Sequence, residues 1–107
     1  MSWEIEYIPQ AAEDFDKLDG SQKKLVLKAL NKVAKNPLPD YEGGYGKPLG
    51  NVGRTMLAGV LKIKLKASGI RIVYKLQRTD TKMQIIIIGM RADNAVYDEA
   101  SKRIKSL

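Results

Sequence analysis

Four consecutive isoleucines, Ile85 to Ile88, restrict how this chain can fold more than any other feature. Successive side chains of a β-strand point to opposite faces, so an unbroken apolar run leaves no face for water. The segment from Met83 to Gly89 is therefore predicted to be a central strand that is covered on both sides. The run is too short to cross a membrane, which takes about 20 apolar residues.

Three further segments have strand patterns. Trp3, Ile5 and Tyr7 alternate with Glu4 and Glu6, as in a half-buried strand. Two more strands are predicted near 56–66 and 70–77, joined by a turn at 67–69. Tyr74 should face the core, because it shares the alternation of the apolar residues around it.

Apolar residues at helical spacing predict three helices. The first spans roughly 9–19. The second is capped by Ser21 and ends at Asn36-Pro37. The third is capped by Asp93 or Asn94. The residues expected to face inward on the second and third helices are Leu25, Leu30, Val33 and Ala34, then Val96, Ala100, Arg103 and Ile104.

The order β-α-α-β-β-β-α predicts an α+β fold. A helical hairpin and a C-terminal helix would pack on a largely antiparallel four-stranded sheet, in a single domain spanning 1–107. The segment 37–54 is rich in proline and glycine, and such long loops are often functional.

Positive charge is concentrated in one segment. Residues 43–79 hold eight basic side chains and no acidic one, while the formal net charge of the whole chain is +7. Lys62, Lys64 and Lys66 alternate with apolar residues, so a strand would place them on one face about 7 Å apart. Such a surface suits a polyanion. A solvated face, or lysines that protect an edge strand, would also give this pattern.

The composition excludes several kinds of chemistry. The chain has no cysteine and no histidine, so it has no disulfide, no thiolate zinc site and no histidine base. Its acidic residues form no metal-ligand motif, and we expect no metal and no cofactor. The N-terminus lacks the pattern of a secretory signal, so a cytoplasmic protein without membrane contact is expected. A sequence pI near 9.7 makes nucleic acid the leading partner class.

Two residues near the C-terminus could complete a reactive site. Arg91 follows the isoleucine strand, and Tyr97 falls in the first turns of the last helix. RNA carries its own nucleophile, the 2′-OH, and without histidine the base must be a carboxylate, a lysine or a tyrosine. Neighbouring cations lower a tyrosine pKa from about 10 by favouring the phenolate. Taken singly, each residue has a simpler explanation: an ion pair with Asp93 or Asp98 for Arg91, and a core position for Tyr97.

The sequence resembles the RelE toxins of the RelE/ParE superfamily, the toxic halves of type II toxin–antitoxin pairs. The match covers nearly the whole chain. It is carried by Trp3-Glu4-Ile5, Lys17-Leu18, Gly46-Lys47-Pro48-Leu49, Leu57-Ala58-Gly59, the segment from Lys62 to Tyr74, Gly89-Met90-Arg91 and Val96-Tyr97. The resemblance implies a microbial-RNase-like fold and cleavage of mRNA in the ribosomal A site. It also implies a cognate antitoxin and contact with operator DNA only through the antitoxin complex.

The resemblance also assigns roles to residues. Lys62 and Lys64 match the lysines that clamp phosphate and stabilise the transition state, and Arg71 matches the arginine that holds the reacting phosphate. Arg91 matches the arginine proposed to assist the leaving group, and Tyr97 the tyrosine proposed as base. The further basic residues expected to bind RNA or the ribosome are Lys47, Arg54, Lys66 and Lys75.

Two other functions remain open at the level of sequence. A ParE-like toxin with the same fold would inhibit DNA gyrase by binding it, without catalysis. Such members usually lack the full cationic set and the C-terminal tyrosine, both of which this chain has. A plain nucleic-acid-binding module would show gradual loss of binding on charge reversal and no effect of Tyr97→Phe.

Overall fold

A computed structural model describes residues 2–49, 59–90 and 92–107. Five strands form one sheet in the order β1-β5-β4-β3-β2, where β1 and β5 are parallel and the other pairs are antiparallel. The elements in chain order are β1 Glu4–Tyr7, α1 Pro9–Asp16, α2 Gly20–Val33, β2 Lys47–Pro48, β3 Val60–Leu65, β4 Ile70–Gln77, β5 Lys82–Gly89 and α3 Asp93–Lys105. The α+β class and the largely antiparallel sheet are confirmed. The fifth strand is β2, two residues within the segment predicted to be a loop.

Strand β5 is buried on both faces, as predicted. Ile85 and Ile86 are inaccessible to solvent, and Ile87 and Ile88 nearly so. Helix α3 covers one face, where a Cβ on Gly89 would lie 3.0 Å from Val96. Helices α1 and α2 contribute their buried residues to the core on the other face, where Phe15 contacts Tyr7. The isoleucine run therefore requires helices on both sides of the sheet.

The helix boundaries differ from the sequence prediction in four places, the first being that α2 ends at Val33 and not at Asn36-Pro37. Helix α1 ends at Asp16, and Asp19, not Ser21, caps α2. The Asp19 carboxylate accepts the Gln22 N–H at 2.8 Å, while the Gln22 side chain accepts the Asp19 N–H at 3.0 Å, so both donors are satisfied. The Ser21 hydroxyl donates to the same carboxylate. Helix α3 begins at Asp93, so the predicted caps at Asp93 and Asn94 are wrong and Ala92 precedes the helix.

The predicted inner face of α2 was wrong at one position. Leu25 is 46% exposed, whereas Val26 is fully buried together with Leu30. Val26, Leu30 and Val33 are spaced by four and three residues and form one stripe, from which Leu25 is rotated by about 100°. The other predicted inward residues of α2, Leu30 and Val33, are buried, as is Ala34 at its C-terminal end.

The hairpin after β3 removes Lys66 from the strand. Strand β3 ends at Leu65, whose carbonyl accepts the N–H of Ser68 at 3.2 Å and of Gly69 at 2.9 Å. Gly69 has a φ of 73°, a conformation that glycine adopts without strain. Lys66 therefore lies in an exposed turn, and only Lys62 and Lys64 alternate within the strand.

The described part of the predicted loop, residues 37–49, is held in place by hydrogen bonds. The buried hydroxyl of Tyr74 donates to the Pro37 carbonyl at 2.7 Å, and burial raises the pKa of Tyr74 above its usual range. The Tyr45 N–H donates to the Asn36 carbonyl at 2.9 Å. A Cβ on Gly46 would collide with the Tyr74 hydroxyl, so only glycine fits there. Tyr74 is a core residue, as predicted.

The ion pair between Arg103 and Asp14 also bonds the backbone of β5. Strand β1 pairs with β5 only as far as Ile85, and beyond that point side chains bond the backbone. Asp14 accepts the Ile88 N–H at 3.1 Å, and Arg103 donates to the Ile86 carbonyl at 3.0 Å and to Asp14 at 2.6 Å. Burial disfavours the charge on Arg103, but Asp14 and Glu99 outweigh that effect and raise its pKa. This pair links α1, β5 and α3.

Within the described residues, none of the helices combines the length and the apolar character needed to cross a membrane.

We predict that Arg103→Met lowers the free energy of unfolding by roughly 3 kcal/mol, because it leaves a largely buried carboxylate without its cation. The side chains of Arg103 and Asp14 are only 13% and 16% exposed. Urea unfolding followed by circular dichroism measures the change.

The control is Arg78→Met, which removes a second two-bonded arginine–carboxylate pair. Arg78 contacts Glu42 at 2.6 and 3.0 Å, but on the exposed surface. This variant should be nearly as stable as the wild type. Equal losses of unfolding free energy in the two variants would show that burial does not make the Arg103 pair more stabilising than the exposed pair.

Candidate functional site

The register of the sheet gathers cations on one face. Cross-strand partners share a face, and Lys64 lies opposite Arg71, Lys47 opposite Lys62, and Lys75 opposite Val60. Because Val60, Lys62 and Lys64 alternate along β3, all three pairs lie on the same side of the sheet. We call the set the basic face: Lys47, Lys62, Lys64, Arg71 and Lys75.

Helix α3 lies over this same side and brings Tyr97 to the lysines. The Lys62 ammonium lies 5.6 Å from the centroid of the Tyr97 ring. A cation at this distance over an aromatic face is attracted by the electrons of the ring. Tyr97 is only 4% exposed, and its hydroxyl is buried. The structure thus joins two residues that are 35 positions apart in sequence.

Arg71 is fixed at the start of β4. It is half-buried, and its guanidinium donates to the Gly69 carbonyl at 3.0 Å. That carbonyl belongs to the turn that connects β3 to β4, so the turn itself orients the arginine. Lys64 is the direct cross-strand neighbour. A guanidinium held beside an ammonium on a pleated face is a suitable receptor for a phosphate, which accepts from both.

The remaining predicted site residues have different positions. Lys47 is exposed on β2, and Lys75 is partly exposed on β4. Lys66 is exposed in the hairpin turn, beside the groove described below. Arg54 and Arg91 lie outside the described residues.

The far end of the same face has a different electrostatic character. Lys82 lies 3.4 Å from Glu6 and 4.0 Å from Glu4, both on the neighbouring strand. The hydrogen bond with Glu6, with help from the charge of Glu4, raises the pKa of Lys82. Acidic residues thus balance the cation near β1, whereas the basic face gathers its cations on β2, β3 and β4.

The described residues contain no cluster of three or more acidic, histidine or cysteine side chains that could hold a metal ion.

Sequence reasoning missed a groove beside the basic face. A cavity of about 330 Å³ lies along the outer edge of β3, between that strand, the second half of α2 and Tyr45. The Lys32 ammonium lies 5.4 Å from the centroid of the Tyr45 ring. The sequence offered one signal, an aromatic residue within a glycine-rich segment, but its neighbour on α2 could only come from the fold.

Comparison with known proteins identifies relatives. No family model matches the chain. A RelE-like toxin protein of Escherichia coli is 27% identical over 108 residues, which cover 98% of this chain and 100% of that protein. The mRNA interferase toxin RelE of Escherichia coli K12 is 28% identical over 104 residues, 97% of this chain and 99% of that protein.

Solved structures agree with these relatives. A double mutant of the Escherichia coli toxin RelE in the free state matches with a TM-score of 0.73 and 28% identity, covering 97% of this chain and 99% of that one. A complex of that mutant toxin with a peptide of its antitoxin RelB matches with a TM-score of 0.67 and 26% identity, over 94% of this chain and 95% of that one.

We predict that Tyr97→Phe costs only about 1 kcal/mol of stability, since it removes a hydroxyl but keeps the ring against Lys62. Tyr97→Ala should cost roughly 3–5 kcal/mol, because it empties a buried aromatic position. Chemical denaturation of both variants measures the difference. If Tyr97→Phe were as unstable as Tyr97→Ala, the hydroxyl would be a structural element rather than a group available for chemistry.

Proposed function

We propose, from the premise that this chain belongs to the RelE toxin family, that it is the toxin of a type II toxin–antitoxin pair. In this proposal it is an endoribonuclease that cleaves mRNA in the ribosomal A site and so inhibits translation. The family likeness covers nearly the full length of the chain. We also infer that residues 1–107 act as a single toxin domain in the cytoplasm.

The observation that supports this function best is the contact between Lys62 and Tyr97 on the basic face. A strand of lysines alone would bind a polyanion without reacting with it. The added phenol lies against Lys62, on the face that also carries Lys64 and Arg71, and supplies a group that can exchange a proton beside a bound phosphate.

The reaction proposed is attack of a ribose 2′-oxygen on the adjacent phosphorus. The bond from the 2′-oxygen to phosphorus forms, the bond from phosphorus to the 5′-oxygen breaks, and a cyclic phosphate and a 5′-hydroxyl result. Tyr97 acts as the base that accepts the proton of the 2′-OH. Lys62, Lys64 and Arg71 hold the phosphate and stabilise the extra negative charge of the phosphorane, often the largest catalytic contribution.

The leaving 5′-oxygen needs compensation of its developing charge. Arg91 is assigned this role by its match to the family. A guanidinium holds its proton too tightly to be a good donor, so Arg91 stabilises the charge, and the leaving 5′-oxygen takes its proton from water. Correct placement of the substrate then accounts for much of the rate, which fits an enzyme that acts only on mRNA held by the ribosome.

The buried hydroxyl of Tyr97 sets a further requirement. In the free chain α3 packs closely over Lys62, so RNA can reach the phenol only if the start of α3 shifts. Binding of a negatively charged strand favours such a shift, because phosphate competes with the aromatic ring for the Lys62 ammonium. The ribosome would then supply both the substrate and the open conformation.

The proposed partners rest on the family resemblance and on the charge of the basic face. The cognate antitoxin neutralises the toxin by placing acidic or apolar side chains over the basic face or by displacing α3. Operator DNA is contacted only through the toxin–antitoxin complex. Lys47, Lys66 and Lys75, with Arg54, contact the RNA backbone or the ribosome.

The experiment that tests this function is induction of the chain in bacteria with Arg71→Ala. We predict that the variant loses growth arrest and lowers mRNA cleavage about a hundredfold or more, since one phosphate ligand of the transition state is gone. Growth curves and labelled-methionine incorporation report on translation.

Arg78→Ala is the matched control, an exposed arginine held by Glu42 off the basic face. It should arrest growth like the wild type. Full toxicity of a folded Arg71→Ala variant would refute the site. Inhibition of DNA supercoiling by that variant would favour the gyrase alternative.

A further inference from the structure

The groove along the outer edge of β3 touches the proposed site but extends beyond it. Strand β2 pairs with β3 only at Leu61 and Lys62. Past that point the groove occupies the space beside residues 63–65, bounded by α2 and by Tyr45. Lys62 and Lys64 line it as well as belonging to the basic face. Anything bound in the groove is therefore next to the phosphate that those lysines would hold.

The lining has two kinds of surface. Ala29, Val33, Ile63 and Leu65 give apolar walls. The cations that surround them are Lys32, Lys47, Lys62, Lys64 and Lys66. This combination matches a nucleotide, whose base is flat and poorly hydrated on its faces and whose backbone is anionic.

Tyr45 supplies an aromatic surface at a fixed position. Tyr45 is 51% exposed, although its backbone N–H is bonded to the Asn36 carbonyl. The following residue, Gly46, is bonded to the Leu38 carbonyl at 3.0 Å and packs against Tyr74. The Lys32 ammonium contacts the ring. An exposed aromatic ring on a held backbone can stack on a base at little further entropic cost.

We propose that this groove binds one unstacked base of the single-stranded mRNA substrate, a nucleotide adjacent to the phosphate held by Lys62 and Lys64. Tyr45 stacks on the base, and Lys32, Lys47 and Lys66 contact the flanking phosphates. The inference rests on the proposed function for the identity of the RNA, but the groove itself does not depend on cleavage. A purely acidic protein segment would meet the same lysines without using the exposed ring or the apolar walls, which a base uses together with the cations.

The test is binding of a fluorescent six-nucleotide RNA carrying a single 2′-deoxy substitution at the scissile position, measured by anisotropy at low salt. A matched series replaces one base at a time with an abasic site. Tyr45→Ala should weaken binding of the intact RNA roughly five- to a hundredfold, the range expected for loss of one base–aromatic stack. Tyr45→Phe should restore it.

One abasic position should erase the difference between wild type and Tyr45→Ala, because the lost base and the lost ring belong to one contact. Tyr41→Ala is the control, since Tyr41 is 76% exposed in the same segment but lies outside the groove. Wild-type binding by Tyr45→Ala, or an equal loss with every abasic RNA, would overturn the proposal. Loss confined to an acidic antitoxin peptide would overturn it in favour of a protein ligand.

The outcome is separable from that of the proposed function. If RNA binding depends on Tyr45 but the wild type does not cleave mRNA on ribosomes, the base site is supported and the nuclease function is refuted. Cleavage that is lost in Arg71→Ala, together with indifference of RNA binding to Tyr45, would keep the nuclease and remove the base site.

Discussion

The fold depends on the need to cover strand β5 on both faces. Its four isoleucines are buried, and one face is reached by the helices that precede the hairpin strands. Among the described residues, α3 covers the other face, where Val96 packs on Gly89. That face is also the one on which the register of β2, β3 and β4 places the cations. The same packing that removes the isoleucines from water therefore brings Tyr97 onto Lys62.

Arg103 and Asp14 make this arrangement specific. Because β1 ends before β5 does, some peptide groups of β5 have no strand partner on that side. Buried peptide groups need hydrogen-bond partners. The ion pair supplies them from α1 and α3 at once. It anchors α3 in its C-terminal half, six residues after Tyr97. The N-terminal half of α3 is held by different contacts, through Val96 and Tyr97, which are both nearly fully buried.

The sequence predicted those features that depend on local periodicity. The isoleucine strand, the lysine strand, the inward position of Tyr74 and the stripe of α3 that includes Arg103 all follow from which residues alternate or recur. Features that depend on competition between nearby groups were not predictable in this way. Asp19 caps α2 instead of Ser21 because Gln22 lies three residues on and can complete the capping box.

Contacts between residues that are distant in sequence could not be predicted, for a different reason. Strand β2 has only two residues, too few for a recognisable pattern, yet it places Lys47 opposite Lys62. Tyr45 contacts Lys32 because the hydrogen-bonded segment 37–49 folds back against α2. No spacing of residues in the sequence predicts that contact. The roles of Lys62, Lys64, Arg71, Arg91 and Tyr97 came from family resemblance, and the structure adds geometry for the described members of that set.

The most direct test of the account is primer extension on an mRNA in a purified translation system, with and without ribosomes, comparing wild type with Tyr97→Phe. We predict cuts within the A-site codon that require ribosomes and become much weaker in the variant, whose fold is preserved. Cuts of equal strength in the variant would remove Tyr97 from the chemistry. No cuts by the wild type under either condition, with growth arrest persisting in cells, would contradict the nuclease itself.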